Sequence, residues 1–177
     1  MIMKLSDIAD PKVTEPHHAE ALRKTGFWGK AGAGSIFLAR STGRIGIAQR
    51  SNHPPPHNVE QPGTWGTIGG AIDPESNAME AAIKEAAEEV GYTRRPHDFL
   101  TILDVFHSGS FQYTTFVYVV DDEFEAHLNW EAQDFGWFHF GEWPEPLHFG
   151  LTSTLSKPLC KNLLIELISR HHVANNS

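Results

Sequence analysis

The chain has 177 residues, 40% of them apolar and rich in Phe and Trp, enough for one domain with a sizeable core. A formal net charge of −8, with no run of Lys or Arg, excludes broad non-specific binding to a nucleic-acid backbone. One cysteine, Cys160, excludes a disulfide framework, and no apolar run reaches membrane-spanning length, so a soluble protein of a reducing, cytoplasmic compartment is expected.

Residues 1–30 are broken up by Pro11, Pro16 and Gly26 and read as an N-terminal extension to a domain of residues 31–177. From Ala33, "AGSIFLARSTGRIGIAQRS" places two apolar runs around Ser41, Thr42 and Gly43, the pattern of a β-hairpin. "NHPPPHNVEQPGTW" is too rich in Pro and polar residues for regular structure, and a loop of that length is usually functional or mobile.

A helix follows Gly69 and Gly70, with Asn77 as N-cap, Glu80 completing a capping box and Gly91 as the stop. Its expected buried stripe is Met79, Ala82, Ile83, Ala86 and Val90. Beyond it, "FLTILDVFHSGSFQYTTFVYVV" reads as strand, turn and strand, "FGWFHF" as a further strand, and the tail as one closing helix with Leu159, Leu163, Leu164 and Leu167 on its apolar side. Strands on both sides of one helix, plus a closing helix, make a mixed α/β domain.

Glu85, Glu88 and Glu89 fall on a stripe beside the buried one. Like charges three and four residues apart destabilise a helix, so something positive belongs there. Lys84 is one turn from Glu80 and Glu88 but cannot offset three carboxylates. All-oxygen donors at this density suit Mg²⁺ or Mn²⁺, and a solvated acidic face is the plain alternative. His53 with His57, and His171 with His172, lack a zinc-ligand spacing and read as solvated residues.

The segment from Gly70 to Tyr92 resembles the Nudix box: glycine, five residues, glutamate, seven residues, then Arg-Glu-apolar-X-Glu-Glu-X-Gly-apolar. The glutamate triad lands on Glu85, Glu88 and Glu89, and the later glycine on Gly91. Ser76 stands in place of the first glutamate and Lys84 in place of the arginine, a pair that in the family braces the loop against the helix. Lys offers one rotatable ammonium where Arg offers a planar fork.

The resemblance implies an α/β/α sandwich, a Nudix-type mixed β-sheet packed between helices. It also implies Mg²⁺-dependent hydrolysis, with Mn²⁺ able to substitute, of a diphosphate linkage in a nucleoside diphosphate joined to another group. The implied metal ligands are Glu85, Glu88, Glu89 and the Gly70 carbonyl. Glu131 or Glu89 is the implied base, and Arg50 could meet a phosphate. The expected partner is a small nucleoside diphosphate derivative, with neither a membrane nor a broad nucleic-acid surface, and a homodimer stays open. The rival reading is a non-catalytic Nudix-fold module that binds a nucleotide or protein. An isopentenyl-diphosphate isomerase would need an active-site cysteine, whereas Cys160 falls in the expected closing helix.

Overall fold

The computed structural model describes residues 31–52 and 61–173. The expected extension 1–30, and His53 and His57, lie outside the described residues. Strands β1 (Ala31–Ala39), β2 (Ile45–Arg50), β3 (Trp65–Gly66), β4 (Ile68–Ala71), β5 (Phe99–Ser108), β6 (Phe111–Val120) and β7 (Ala132–Phe138) form one seven-stranded mixed sheet. Helices α1 (Ala78–Val90), α2 (Phe149–Ser156) and α3 (Pro158–Val173) complete the described elements.

β1 organises the sheet. Its whole length runs parallel to β6, while on its other side Gly32–Ser35 pair with β4 and Phe37 and Leu38 pair with β2. The sheet therefore splits along β1, leaving β4 on one arm and β2, with β3 and β7, on the other. The expected hairpin forms because Gly43 takes φ 69°, a left-handed conformation cheap only for glycine, and its N–H donates to the Ala39 carbonyl at 2.8 Å.

Alternation along β1 builds two cores. Phe37 and Ala39 join Tyr118, Ala82, Ala86 and Val90 on the α1 face; Ile36 and Leu38 join Ile45, Ile47, Val119, Leu155 and Leu164 on the α2–α3 face. Helices thus cover both faces, the expected α/β/α sandwich. Phe37, fully buried, stacks on Tyr118 at 5.0 Å and meets Phe124 edge-on at 5.0 Å. Truncating such a residue to Ala costs roughly 3–5 kcal/mol.

Two sequence expectations need correction. The tail is two helices: Lys157 takes an extended conformation and Pro158 opens α3, where its missing N–H is harmless. The buried side of α3 runs through Cys160, Leu164 and Leu167, so Leu159 is 83% exposed, and the Cys160 thiol lies against the Leu103 carbonyl. Along α1, Met79 is 40% exposed while Ala81 and Glu89 are buried. Ile83 is only partly buried. The contact with β4 turns the buried stripe toward Glu89.

Candidate active site

Helix α1 is fixed at both ends by local chemistry. The Asn77 side chain accepts from the Glu80 N–H at 2.9 Å, and the Glu80 carboxylate accepts from the Asn77 N–H at 3.2 Å, the capping box read from the sequence. Gly91 closes the helix with φ 70°. This sets the rotation of the three glutamates, and they do not share one environment: Glu89 is 6% exposed, Glu85 is half-buried and Glu88 is exposed.

Glu89 points into the domain, where its Oε1 accepts the Gly69 backbone N–H at 2.9 Å. Glu85 lies against Gly70, and a Cβ there would displace its carboxylate from this seat. The Gly70 carbonyl, named above as a further oxygen ligand, faces β1: it lies 3.2 Å from where a Cβ on Gly32 would sit.

Glu131 arrives from the other arm of the sheet. Main-chain bonds from the His127 N–H to the Val90 carbonyl (2.9 Å) and from the Asn129 N–H to the Glu89 carbonyl (3.0 Å) lash this segment to the end of α1. The Ser51 N–H donates to the Glu131 carbonyl at 2.8 Å, which places Glu131 beside Arg50 at the end of β2. Asn129 Oδ1 accepts the Glu131 N–H at 2.9 Å, closing an Asx turn with Trp130 at its apex.

The carboxylates feel one another across this junction. Burial, then Glu131 and Glu88, push the Glu85 carboxyl up to about 7. Burial, Glu131 and Glu85 hold Glu89 well above the usual carboxylate range, against the opposing pull of Arg50 and the Gly69 N–H. Burial raises Glu131 as well, opposed chiefly by Arg50. These acids are short of positive charge.

The loop entering α1 is tied by Lys84, whose Nζ lies 3.2 Å from Asp73 Oδ2 and 3.9 Å from Glu88 Oε1. Ser76 instead meets Glu80, Oγ to Oε2 at 3.2 Å. Sequence reasoning missed Asp73 as the partner of Lys84, Asn129 as the orienting group for Glu131, and the Gly69 N–H. An Asn two residues before a carboxylate was the available signal for Asn129.

Other candidates fall elsewhere. Trp65 packs as expected, 8% exposed and edge-on to Phe138 at 5.3 Å. His171 lies on Phe99, and His172 Nδ1 is 3.2 Å from the Arg40 carbonyl. A cavity of about 420 Å³ beside Trp143, Pro146 and Thr152 is lined by none of the four glutamates.

Among the described residues, no group of three or more His, Cys, Asp or Glu side chains is arranged to hold a metal ion. The donor chemistry nevertheless fits a hard divalent cation. The cluster is all carboxylate, Glu85 fills the space a Cβ on Gly70 would take, and the acids raise one another's proton affinity.

The NUDIX domain family model matches residues 30–156, most of the chain and all of this geometry. The chain belongs to the NUDIX hydrolase family. A MutT NUDIX hydrolase from Burkholderia pseudomallei shares its fold with a TM-score of 0.55 at 24% identity, covering 72% of this chain and 96% of that one. The Nudix hydrolase RenU from M. smegmatis gives 0.58 at 22%, covering 73% and 84%. A C. elegans Ap4A hydrolase gives 0.52 at 19%, covering 78% and 96%. No curated protein matches in sequence. Among the described residues, no helix of this NUDIX chain is long and apolar enough to cross a membrane.

Proposed function

We propose that this NUDIX hydrolase cleaves a diphosphate linkage in a nucleoside diphosphate joined to another group, as a Mg²⁺-dependent enzyme in which Mn²⁺ substitutes. The observation that carries the reading is the meeting of Glu85, Glu89 and Glu131 from two distant segments, with Arg50 beside Glu89 and Glu131 and Lys84 beside Glu85.

Glu85, Glu88 and Glu89 would hold the divalent ion, which when bound supplies charge neutralisation for the phosphate oxygens and a more acidic water. Glu89 is oriented by the Gly69 N–H, and Glu85 by its seat on Gly70. Glu131, steadied by Asn129, accepts the proton of the attacking water; Glu89 is the rival for that role. Arg50 faces the substrate phosphate and limits the repulsion between Glu131 and Glu89. Burial of these acids keeps the proton transfer out of bulk water and strengthens every charge interaction within the site. The solved neighbours include an Ap4A hydrolase and an ADP-ribose pyrophosphatase from Streptococcus suis, and a NUDIX domain of Shewanella oneidensis NrtR is complexed with ADP ribose.

The test is product analysis on a panel of nucleoside triphosphates, ADP-ribose, sugar nucleotides, dinucleoside polyphosphates and capped RNA, with Mg²⁺ and with Mn²⁺. Turnover of one class that disappears with EDTA is expected. Binding without turnover across the panel would establish the non-catalytic module instead.

A further inference from the structure

Glu131 is brought to Glu89 by two carbonyls at the end of α1. The last carbonyls of a helix have no partner within it, and here those of Glu89 and Val90 take the Asn129 and His127 N–H groups at 3.0 and 2.9 Å. Where they point depends on how the helix ends. Tyr92, the residue after the Gly91 stop, turns its N–H back to the Ala86 carbonyl at 3.0 Å. Its side chain, 5% exposed, lies edge-on to Phe37 and to Tyr118, each at 5.4 Å. The same ring meets Phe124 at 4.5 Å, in the segment that leads to His127. Tyr92 therefore touches both sides of the seam, the end of α1 and the approach to Glu131.

The closing position of the box takes an apolar residue, whereas a buried phenol needs a hydrogen-bond partner. Asp98, 3% exposed, supplies it: its Oδ2 accepts the Tyr92 hydroxyl and the Arg95 N–H, each at 2.7 Å. Burial and the bond to Asp98 hold the hydroxyl above its ordinary range, so it stays a donor at neutral pH. Among the described residues Asp98 Oδ1 takes no hydrogen bond, so Asp98 acts through one oxygen. A buried carboxylate satisfied on one side only is costly, and no step of the proposed chemistry touches it. We propose that Asp98 is a positioning residue for Glu89 and Glu131, acting through Tyr92. By fixing the tilt of the phenol ring it sets the seam against Phe124, and with it the two main-chain bonds that hold Glu131 to the end of α1. This rests on the reading of these acids as a hydrolytic site.

Tyr92→Phe keeps the ring and removes the hydroxyl, while Asp98→Asn keeps an oxygen for both donors. In hydrogen–deuterium exchange of the metal-free chain, Tyr92→Phe should exchange about tenfold faster or more over residues 127–131 and within about twofold of the parent over β1; Asp98→Asn should stay within about threefold in both. On a substrate turned over by the parent, Tyr92→Phe should lower kcat about fivefold or more with KM within about twofold, and Asp98→Asn should restore most of that loss. The proposal is overturned if exchange over 127–131 is unchanged in Tyr92→Phe, if it rises equally in every segment, if Asp98→Asn loosens as far as Tyr92→Phe, or if kcat is unchanged in an active chain. Exchange needs no turnover. A chain that hydrolyses nothing yet shows the selective loosening keeps the positioning role and loses the hydrolase reading; an active one without it does the reverse.

Discussion

The Gly69 N–H donates to the buried carboxylate of Glu89 at 2.9 Å, joining the strand that enters the loop to the last turn of α1. An amide oxygen can accept the same bond, so Glu89→Gln should keep the fold. It loses the negative charge, and turnover should fall at least about a hundredfold. Without metal the variant should melt at an equal or higher temperature than the parent, since a desolvated charge among like charges has been removed. Circular-dichroism melts with EDTA, beside steady-state rates with Mg²⁺, check both halves; near-normal rates would remove the metal role.

The pH dependence follows from Glu85, held up to about 7 chiefly by burial and Glu131. Its folded value lies above its unfolded value, so the unfolded chain ionises first as pH rises. Metal-free stability should be greatest near or below about pH 4.5 as far as this group is concerned, and should fall as pH climbs to about 7. Raised Glu89 and Glu131 act in the same direction. Urea midpoints at pH 5, 6, 7 and 8 with EDTA should decline less in Glu85→Gln, and less in the parent once Mg²⁺ is added.

Glu131 is assigned the base role on its position beside Arg50 and its bond to Asn129. Glu131→Gln should cut kcat about a hundredfold or more while KM moves less than about tenfold. Asn129→Ala should cut kcat by a smaller factor, about tenfold, because the carboxylate remains but the turn that carries it loses its closing bond. A Glu131→Gln rate within about threefold of the parent, at saturating Mg²⁺ and substrate, transfers the role to Glu89.

The entry loop depends on Asp73 and Lys84, both roughly half exposed at 47% and 54%. Exposed pairs contribute little, so a double-mutant cycle with Asp73→Ala and Lys84→Ala should give a coupling of about 0.2–1 kcal/mol. Zero coupling would mean that the pair does not brace the loop.

Much of this architecture could be read because it is written locally. The turn at Gly43, the cap at Asn77, the stop at Gly91 and the spacing of Glu85, Glu88 and Glu89 each depend on residues within a few positions of one another. Glu131 was within reach only through resemblance, since its placement depends on main-chain bonds to the end of a helix some forty residues earlier. What sequence periodicity could not show is which acid faces the interior. Met79 and Glu89 exchange the roles that hydrophobicity alone would give them, because the β4 glycines leave space and an N–H for a carboxylate. Leu159 was misread because the apolar residues of this helix fit two overlapping stripes, and the core takes the one through Cys160, Leu164 and Leu167.

The segment from His127 to Glu131 is held in register by its backbone and by Asn129: through the Val90 and Glu89 carbonyls, the Ser51 N–H and the Asx turn. None of these bonds involves the side chains of Leu128 or Trp130. Because the register rests on main-chain groups, the outward side chain of Leu128 can change, by natural drift or in a laboratory library, while the backbone that carries Glu131 stays in place.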